Sequence, residues 1–544
     1  DHRYLHSFPT RRSSDLKGRV QGVGFRPFVY RMALKHGLSG EVDNRTDGVF
    51  IVIQGEPVAI ENFTNDLLHY APPASKIRSI EMYPARISRY EGFFISSSRD
   101  LSTQVTEVSP DIAVCEECIR DMDEDPGRIA YPFINCTSCG PRFTIIEELP
   151  YDRTRTSMSS FQMCSKCRSE YEDTTNRRFH AQPIACNSCG PVYTFKDDSG
   201  ILSDIDDITE RAASLIDSGM IVAVKGLGGY HLICDALNNT AVEVLRQRKH
   251  RDSKPFAVMF RNIQDADEYC HIGIEEKAEL LSWKRPVVIL HQKKELGPAV
   301  SNGLHTTGAL MPYMPFHYLL FRKLKTPVIV FTSGNLSEEP VITDDKEAED
   351  KLLHVADGIA SYNRGIVNRA DDSVVRIIDN RTSLFRRSRG FVPLPVELDL
   401  DVEGVIALGA EQKNTFCIGK GTQAVMSQYV GDLKNSLSYD FLLESFDRFK
   451  KLFRFTPDII ASDLHPDYMS TRFAETLAEE TGVPAVRIQH HHAHVVSCMA
   501  EHGIREQVIG ISFDGTGLGT DGNIWGGEFR SEEHTSELQS PNTI

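Results

Sequence analysis

The spacing of apolar positions predicts alternating helices and strands along most of this 544-residue chain. GEVDNRTDGVFIVIQG (40–55) alternates like a β-hairpin, whereas DITERAASLIDSG (207–219) has the apolar spacing of a helix. IVAVKGLGGYHLICDA (221–236) predicts strand, glycine turn and strand, and TAVEVLRQRKHRDSKPFAVMF (240–260) predicts an amphipathic helix followed by a strand. PVIVFTSGNLSEEP (327–340) is an apolar strand that opens into small polar residues. The pattern indicates α/β and α+β domains, and the length allows roughly three or four of them.

The last third of the natural-looking sequence continues this alternation. SYDFLLESFDRFKKLF (438–453) predicts a helix, and PDIIASDLHPDYMSTRFA (457–474) predicts a strand followed by a helix. VIGISFDGTGLGTDGNIWGGEF (508–529) is an apolar strand, then Asp514, then a glycine-rich turn leading to a second strand. This is the shape of a phosphate-binding hairpin in actin-like ATPases, where an aspartate ends the strand near the metal.

The two chain ends lack any such period. Residues 1–16 and 530–544 both resemble translated sequencing-adapter sequence, with FPTRRSSDL and RSEEHTSELQS as the recognisable frames. We therefore expect them to stand outside the fold, as a fusion scar would, and the natural sequence to run from about Lys17 to Phe529. Disordered natural tails are the alternative.

Four Cys-x-x-Cys pairs are separated by 17, 24 and 18 residues. Near-identical tails, CGPRFT (139–144) and CGPVYT (189–194), follow the second and fourth pairs, so the block is an internal duplication. Two such pairs close one tetrahedral zinc site, and four thiolates leave no open position for catalysis. We predict two structural Zn²⁺ ions, with the pairs joined in sequence or crossed, rather than disulfides or redox pairs. The predicted ligands are Cys115, Cys118, Cys136, Cys139, Cys164, Cys167, Cys186 and Cys189.

Composition narrows the classes of partner. A net charge of −16 argues against a nucleic-acid partner, which would favour a basic surface. No apolar run reaches the roughly 20 residues of a membrane span, and no segment has the layout of a signal peptide. Twelve cysteines, most of them in metal-binding spacing, fit a reducing compartment, so we expect a cytoplasmic protein without a membrane partner.

A glycine-rich loop precedes the first helical run. In GRVQGVGFRPF (18–28), successive backbone N–H groups can surround an anion, the following helix N-terminus adds positive potential, and Arg26 supplies a charge. Residues 17–98 resemble acylphosphatase, which has a ferredoxin-like fold. The resemblance implies that Arg26 and the loop amides hold a phosphate and that Asn44 orients the attacking water. A plain tight turn is the alternative reading of the loop.

Five basic residues lie within nine positions where the predicted helix of 240–260 ends: Arg246, Arg248, Lys249, Arg251 and Lys254. This exceeds what a helix dipole needs and favours polyphosphate binding. Together with KGLGG, the Ser-Gly-Asn turn and FRRSRGFVP (385–393), the cluster resembles a YrdC-like domain over 201–395. That family makes an acyl-adenylate from ATP and a carbamate. The resemblance implies a site for ATP with Mg²⁺ and for the carbamate, lined by Lys225, Arg248, Lys254, Ser333, Asn335 and Arg389.

Four histidines fall within five residues of VRIQHHHAHVVSCMAEHG (486–503). His490 and His494 stand four positions apart, which on a helix puts both imidazoles on one face, as a metal pair needs. Residues 400–529 resemble part of the TsaD-like, carbamoyl-transferring branch of the actin-like ATPases. The resemblance implies that His490, His494 and Asp514 are metal or substrate ligands and that the family continues into a further C-terminal half.

The order of acylphosphatase-like segment, duplicated zinc module (110–195), YrdC-like domain and partial TsaD-like domain resembles one family, the hydrogenase-maturation carbamoyltransferase HypF. That resemblance implies a multidomain α/β and α+β enzyme. It would hydrolyse carbamoyl phosphate, form carbamoyl-adenylate with release of pyrophosphate, and transfer the carbamoyl group to the C-terminal cysteine of HypE for cyanide ligand synthesis.

Two other readings remain open at this point. A threonylcarbamoyl-type tRNA-modifying enzyme would share two of the domains, and YrdC-like proteins include RNA binders; it predicts salt-sensitive tRNA binding, which the acidic composition disfavours. A non-catalytic zinc-binding module with degenerate appendages is the other.

Overall fold

A computed structural model of the chain describes residues 10–85, 90–99, 106–336 and 338–532. The chain divides into two compact units. The first unit extends to Phe391, apart from residues 338–340, and the second comprises those three residues and the chain from Val392 onward. Among the helices in these ranges, none combines the length and apolar character that crossing a membrane requires.

The first unit contains eleven α-helices and seventeen strands within the described ranges. The helices are α1 (Phe25–Lys35), α2 (Pro57–His69), α3 (Glu116–Glu124), α4 (Ser165–Glu172), α5 (Ile205–Asp217), α6 (Asn239–Lys249), α7 (Ile263–Tyr269), α8 (Ile274–Leu281), α9 (Pro298–Ser301), α10 (Pro315–Lys323) and α11 (Asp345–Leu352). The strands are β1 (Thr10–Arg19), β2 (Ser39–Arg45), β3 (Gly48–Gly55), β4 (Lys76–Pro84), β5 (Phe93–Ile95), β6 (Tyr193–Asp197), β7 (Gly200–Leu202), β8 (Val222–Lys225), β9 (Tyr230–Asp235), β10 (Ala257–Phe260), β11 (Cys270–His271), β12 (Val287–Gln292), β13 (Thr306–Leu310), β14 (Val328–Ser333), β15 (Gly358–Tyr362), β16 (Val374–Ile378) and β17 (Arg381–Arg386).

The first sheet has the strand order β4-β1-β3-β2-β5. β2 and β3 form the hairpin that the alternation predicts, with Arg45 paired to Gly48 across a two-residue turn. α1 buries Phe28 and Val29, and α2 buries Phe63, in the core beneath this sheet. The amphipathic pattern therefore builds an α+β layer in which the glycine-rich loop connects β1 to α1.

The placement of β1 differs from the expectation that residues 1–16 stand outside the fold. Thr10–Leu16 pair antiparallel with β3, and most of them also pair with β4, so this segment occupies a central position of the sheet. Leu16 is buried, and so is Ser14 at a position that points into the core. A central strand is held by backbone hydrogen bonds on both edges, so an atypical side-chain sequence can still occupy it. Residues 530–532 likewise lie in a strand rather than outside the fold.

The cysteine block follows as two similar halves. α3 and α4 each begin directly after the first cysteine of a leading pair, Cys115 and Cys164. The second half continues without a break into β6, an inner strand of a twelve-stranded sheet. The main path of that sheet is β17-β16-β12-β13-β10-β14-β9-β8-β15-β6-β7, and β11 pairs with β12. One hydrophobic core extends from Leu16 to Tyr362, so the first sheet, the cysteine block and the large sheet share buried contacts.

The second unit contains α12 (Ser436–Leu452), α13 (Met469–Thr481) and α14 (His490–His502). Its strands are β18 (Val396–Glu397), β19 (Val405–Ala407), β20 (Cys417–Lys420), β21 (Gln423–Met426), β22 (Ile459–Asp463), β23 (Ala485–Ile488), β24 (Val508–Ser512), β25 (Gly517–Leu518), β26 (Ile524–Trp525) and β27 (Glu528–Glu532). The main sheet has the order β18-β21-β20-β19-β22-β23. β19–β21 form an antiparallel meander, and β22 and β23 then run parallel to β19 after helical crossovers. α12 covers the sheet with Phe441, Phe446 and Phe449, as its periodicity predicts.

Candidate active sites and metal centres

The eight cysteines of the block form two tetrahedral groups. In the first group, neighbouring Sγ atoms lie 3.6 to 3.8 Å apart, and in the second they lie 3.7 Å apart. Four sulfur atoms at a Zn–S distance of about 2.3 Å would be separated by roughly 3.8 Å, whereas a disulfide needs about 2.05 Å. The two groups therefore fit two structural Zn²⁺ ions. The pairs join in sequence: Cys115, Cys118, Cys136 and Cys139 form one group and Cys164, Cys167, Cys186 and Cys189 the other.

Two buried arginines cross between the halves of this block. Arg128 of the first half donates from Nε to the carbonyl of Ala185 at 3.0 Å and from Nη2 to Cys167 Sγ at 3.5 Å, both in the second half. At the equivalent position of the duplication, Arg178 of the second half donates to the carbonyl of Asn135 in the first, at 3.2 Å. Each arginine therefore supports the loop that closes the other zinc group, and the two halves form one structure.

Arg26 and Asn44, which the acylphosphatase resemblance assigns to one site, both line a small pocket at the start of α1. Arg26 is buried and donates to Ser98 Oγ and to Asp152 Oδ1, each at 3.2 Å. Asn44 is 1% exposed on β2, and its buried Oδ1 has no hydrogen-bond partner among the described residues. A buried carbonyl oxygen without a donor is costly, so a ligand or water at this point would satisfy it.

The glycine-rich loop that connects β1 to α1 is supported by the zinc module. Arg142, from the CGPRFT tail, donates from Nε to the carbonyl of Gly22 and from Nη2 to that of Thr137 at 2.9 Å. Gly22 has φ +71°, a conformation that favours glycine, and a Cβ there would lie 3.3 Å from the Arg142 side chain. The sequence signal for this role is the difference between the two tails, since CGPVYT has Val192 where CGPRFT has Arg142.

His180 also lines this pocket, and among the described residues the two metal groups of the block consist of cysteines alone. Its ring packs against Tyr171 and Phe179 with centroids 4.8 and 4.6 Å apart. Burial, followed by the charge of Arg26, lowers the pKa of His180 to about 4. The imidazole is therefore neutral at pH 7, and the positive charge at the pocket comes from Arg26 and Arg142.

The Ser-Gly-Asn turn after β14 is bound by Lys249, not by Arg248. Lys249 is buried, and its Nζ donates to the Ser333 carbonyl at 2.6 Å and to Asn335 Oδ1 at 2.6 Å. Arg248 points elsewhere and binds Asp357 Oδ1 at 2.9 Å. Of the residues predicted to line the nucleotide site, the structure brings Ser333 and Asn335 together. Lys249, which was predicted only as part of the basic cluster, binds both of them.

Arg246, another member of the basic cluster, stabilises the loop that follows α6. Arg246 donates to the carbonyls of Arg251 and Lys254 at 2.9 and 3.0 Å, and its guanidinium lies over the Phe256 ring. Lys254 itself is exposed. Burial, then the like charge of Arg246, lowers the pKa of Arg251 to about 10, so Arg251 stays charged at pH 7. The loop is therefore a preformed basic segment rather than five independent side chains.

Lys225 is buried at the start of the glycine turn. Its Nζ donates to Asp345 Oδ1 at 2.5 Å and to the Tyr362 carbonyl at 2.9 Å. Burial lowers the pKa of Lys225, although hydrogen bonding to Asp345 opposes that shift. Asp345 lies at the start of α11, so Lys225 fixes the beginning of this helix against the large sheet.

Arg389 belongs to a buried ion pair that also involves a histidine. Its Nε donates to Asp372 Oδ1 at 2.7 Å, and His231 Nε2 contacts Asp372 Oδ2 at 3.2 Å. Burial alone would raise the pKa of Asp372, but the Arg389 charge and the His231 hydrogen bond lower it overall. His231 was not predicted as a site residue; it is the second residue of β9, one position beyond Tyr230.

Asp111 connects the surroundings of the first two sites. Its Oδ1 accepts hydrogen bonds from the Arg142 N–H at 2.6 Å and from the Thr144 hydroxyl at 2.9 Å. Burial raises the pKa of Asp111, and those hydrogen bonds together with the charge of Arg389 oppose the rise. Within the first unit, Arg142 therefore links the glycine-rich loop to Asp111, and Asp111 in turn lies within the influence of the Arg389 charge. We call these groups the polar line.

The histidine pair of the second unit is completed by two carboxylates. His490 contacts Asp463 through Nδ1 and Asp514 through Nε2, each at 2.6 Å, and His494 Nε2 lies 3.2 Å from Asp514 Oδ2. The potential ligand atoms of His490, His494 and Asp514 all lie within 4.8 Å of one another. Asp463 ends β22 and holds the other face of the His490 ring, as a carboxylate does behind a metal-binding histidine.

Four family models match consecutive parts of the chain. Residues 14–95 match Acylphosphatase, and residues 114–146 and 163–195 match the HypF finger. Residues 214–388 match the family described as Telomere recombination, which covers Sua5, YciO and YrdC, and residues 401–501 match the HypF Kae1-like domain. These matches follow the order of segments that the motifs predict.

Full-length relatives decide the family. The chain is 40% identical over 520 residues to carbamoyltransferase HypF of Rhodobacter capsulatus, covering 94% of this chain and 69% of that protein. The chain belongs to the carbamoyltransferase HypF family. Carbamoyltransferase HypF of Synechocystis sp. is 42% identical and is covered to 67%.

Solved HypF structures have the same fold. A crystal structure of full-length HypF in the phosphate- and nucleotide-bound form superposes with a TM-score of 0.94 at 44% identity, covering 99% of this chain and 70% of that one. A crystal structure of T. kodakarensis HypF gives a TM-score of 0.90 at 44% identity, covering 96% of this chain and 68% of that one. The predicted fold class, a multidomain α/β and α+β carbamoyltransferase with four kinds of domain, is confirmed.

Proposed function

We propose that this HypF chain hydrolyses carbamoyl phosphate at the Arg26 loop and converts the released carbamate into carbamoyl-adenylate with ATP in its YrdC-like domain. The carbamoyl group is then destined for the C-terminal cysteine of a HypE partner, as the family resemblance implies. The observation that carries the first step is the pocket in which Arg26 faces the unpartnered carbonyl of Asn44.

The chemistry of the first site follows from those two side chains. Arg26 and the loop N–H groups offset the charge of the phosphoryl oxygens, and the Asn44 carbonyl accepts a hydrogen bond from the attacking water. Binding of phosphate would compete with Asp152, which pairs with Arg26 at 3.2 Å. The products are phosphate and carbamate. The HypF crystal structure described as phosphate- and nucleotide-bound supports sites for both ligands in the family.

The second step needs cations for a triphosphate. Lys249 binds the Ser-Gly-Asn turn directly, and the basic loop that follows α6 adds Arg251 and the exposed Lys254. The YrdC-like resemblance implies that Lys225 and Arg389 line the same site, and Mg²⁺ bound with ATP would offset part of the phosphate charge. Carbamate attacks the α-phosphate and pyrophosphate leaves. Carbamate is short-lived in water, and Arg142 and Asp111, which lie along the polar line between the two sites, are both buried, which supports internal transfer.

We further propose that His490, His494 and Asp514 bind a divalent metal in the second unit, separately from the two zinc ions of the cysteine groups. Imidazole and carboxylate donors suit such an ion, which would polarise a bound carbamoyl group. Metal analysis tests this directly: His490→Ala should lose one equivalent and keep two zinc ions. An unchanged total metal content in that variant would contradict the assignment.

The adenylation proposal is tested by measuring AMP and pyrophosphate formation with and without carbamoyl phosphate. Formation should depend on carbamoyl phosphate and should be abolished by Arg26→Ala, whereas Lys76→Ala, an exposed change on β4 of the same sheet, should have no effect. ATP cleavage that is indifferent to carbamoyl phosphate would refute the proposal. Mass spectrometry of HypE, incubated with the chain and both substrates, tests the transfer step.

A further inference from the structure

Three polar side chains surround Phe331 in the interior of the YrdC-like domain. The ring of His231 stacks on Phe331 with centroids 4.1 Å apart, and the ring of His317 meets it edge-on at 5.2 Å. Tyr313 lies 4.6 Å from the His317 ring and carries the Arg389 guanidinium 3.6 Å above its own ring. We call His231, Tyr313 and His317 the interior polar cluster.

Each member of the cluster has a polar atom that lacks a partner within the part of the chain that the structure describes. These atoms are His231 Nδ1, Tyr313 Oη and His317 Nε2. The side chains are all 5% exposed or less. Buried polar atoms in folded proteins almost always have hydrogen-bond partners, so three such atoms around one ring indicate a site for a bound polar group.

The hydrogen bonds on the opposite side of each ring decide which atoms donate. His317 Nδ1 accepts from the Tyr313 backbone N–H at 3.5 Å, which leaves the proton of the neutral ring on Nε2. His231 Nε2 faces the carboxylate of Asp372, which leaves Nδ1 as an acceptor. The cluster therefore offers two donors, Tyr313 Oη and His317 Nε2, and one acceptor, His231 Nδ1.

These two donors and one acceptor match the carbonyl oxygen and the N–H group of a primary amide. We propose that the interior polar cluster binds the carbamoyl group, with the amide N–H donating to His231 Nδ1 and the carbonyl oxygen accepting from Tyr313 Oη and His317 Nε2. The inference rests on the proposed adenylation and adds the residues that select the acyl group. His231 also lies opposite Ser333 in the β9–β14 register, so the cluster adjoins the turn that Lys249 binds.

The proposal predicts selection against an acetyl group. Acetate has the same carboxylate but a methyl group in place of the amino group, so it would leave His231 Nδ1 buried and unpaired. A site built to hydrogen-bond a substrate N–H strongly rejects the analogue that lacks it. Asp372 and Arg389 act as positioning residues here, since they hold His231 with Nδ1 free to accept.

The experiment is ATP–pyrophosphate exchange driven by carbamoyl phosphate or by acetyl phosphate, which both belong to the acyl phosphates that the first site is proposed to hydrolyse. His231→Phe keeps the aromatic stack and removes the acceptor, and it should lower carbamoyl-driven exchange by about 10- to 100-fold while leaving acetyl-driven exchange nearly unchanged. Tyr313→Phe removes a donor to the carbonyl oxygen, which both acyl groups share, and should lower both rates by a similar factor.

A matched control is Tyr131→Phe in the zinc module, which removes another buried hydroxyl that has no hydrogen-bond partner among the residues the structure describes. It should leave both exchange rates unchanged, and phosphate release from carbamoyl phosphate should be normal in all three variants if the first site stays folded. Equal losses with both acyl phosphates in His231→Phe, or no loss, would overturn the inference. Absence of carbamoyl-driven exchange in the unmodified chain would instead overturn the proposed function.

Discussion

The crossed arginines of the zinc module predict that each half of the module stabilises the other half's metal. Replacing Arg128 by Met keeps an unbranched, largely apolar stem in the buried position and removes the guanidinium hydrogen bonds to the second half. Because Arg128 contacts Ala185 and Cys167, we expect Arg128→Met to weaken the group of Cys164, Cys167, Cys186 and Cys189 rather than the group in its own half.

The magnitude follows from burial. Arg128 is completely buried, and its Nη atoms pair with Asp125 Oδ2 at 2.5 Å and Glu170 Oε1 at 3.1 Å. Breaking a buried ion pair costs about 3–5 kcal/mol, but the two carboxylates are each 14% exposed and can recover some hydration. We therefore expect a loss of about 2–3 kcal/mol from the free energy of unfolding. A loss of that size makes zinc escape by local unfolding at least about 30-fold faster.

The assay is zinc release to a chelator, with simultaneous alkylation of the freed cysteines and identification of the labelled peptides by mass spectrometry. Arg128→Met should expose the second group first, and Arg178→Met, at the equivalent position, should expose the first group first. Arg168→Met is the matched control, because Arg168 is 61% exposed and its ion pair with Glu172 should contribute less than about 0.5 kcal/mol. Labelling of the same group first in both Arg128→Met and Arg178→Met would refute the crossed arrangement.

Three further predictions concern single side chains. Ser14 is a buried polar residue of β1, so Ser14→Val should raise the free energy of unfolding by about 1 kcal/mol in urea titrations, whereas Ser13→Val on the opposite face should change it little. Lys249→Met should reduce ATP–pyrophosphate exchange far more than Arg248→Met, because of these two side chains Lys249 binds the Ser-Gly-Asn turn and Arg248 binds Asp357. Because the pKa of His180 falls from about 6.5 when unfolded to about 4 when folded, acidification through that window destabilises the fold by up to about 3 kcal/mol; His180→Asn should flatten this part of the stability–pH curve by that amount.

Motifs whose residue types and spacing are fixed by metal geometry or by backbone conformation could be predicted directly from the sequence. Cysteine spacing predicted two metal sites, and the resemblance to acylphosphatase assigned Arg26 and Asn44 to one site, where both line one pocket. The spacing left the zinc pairing open because sequential and crossed pairing both satisfy Cys-x-x-Cys geometry. Only the three-dimensional arrangement distinguishes the two pairings. In the structure the cysteine pairs join in sequence, and Arg128 and Arg178 make the contacts between the two halves.

The basic cluster shows where one-dimensional reasoning stopped short. Its five residues look equivalent in charge, but Lys249 continues the buried row of α6 that contains Ala241 and Leu245, at spacings of four. Arg248 lies one position away, about 100° around the helix, and so points to Asp357. The helical phase was therefore available in the sequence, and it would have selected Lys249 as the side chain that enters the interior.

His231 could not be found in the same way, because its significance depends on partners far along the chain. Asp372 is 141 residues away from it, and the strands that carry His231 and Ser333 are brought side by side only by the large sheet. A neutral donor–acceptor pattern has no compositional signature, whereas charges and cysteines do. The sequence therefore predicts candidate sites for phosphate and metal, and only the folded arrangement suggests how the small uncharged part of the proposed substrate would be recognised. That division has a physical basis: recognition of an amide needs two donors and an acceptor within a few ångströms, and this chain supplies them from β9, α10 and the loop before α10.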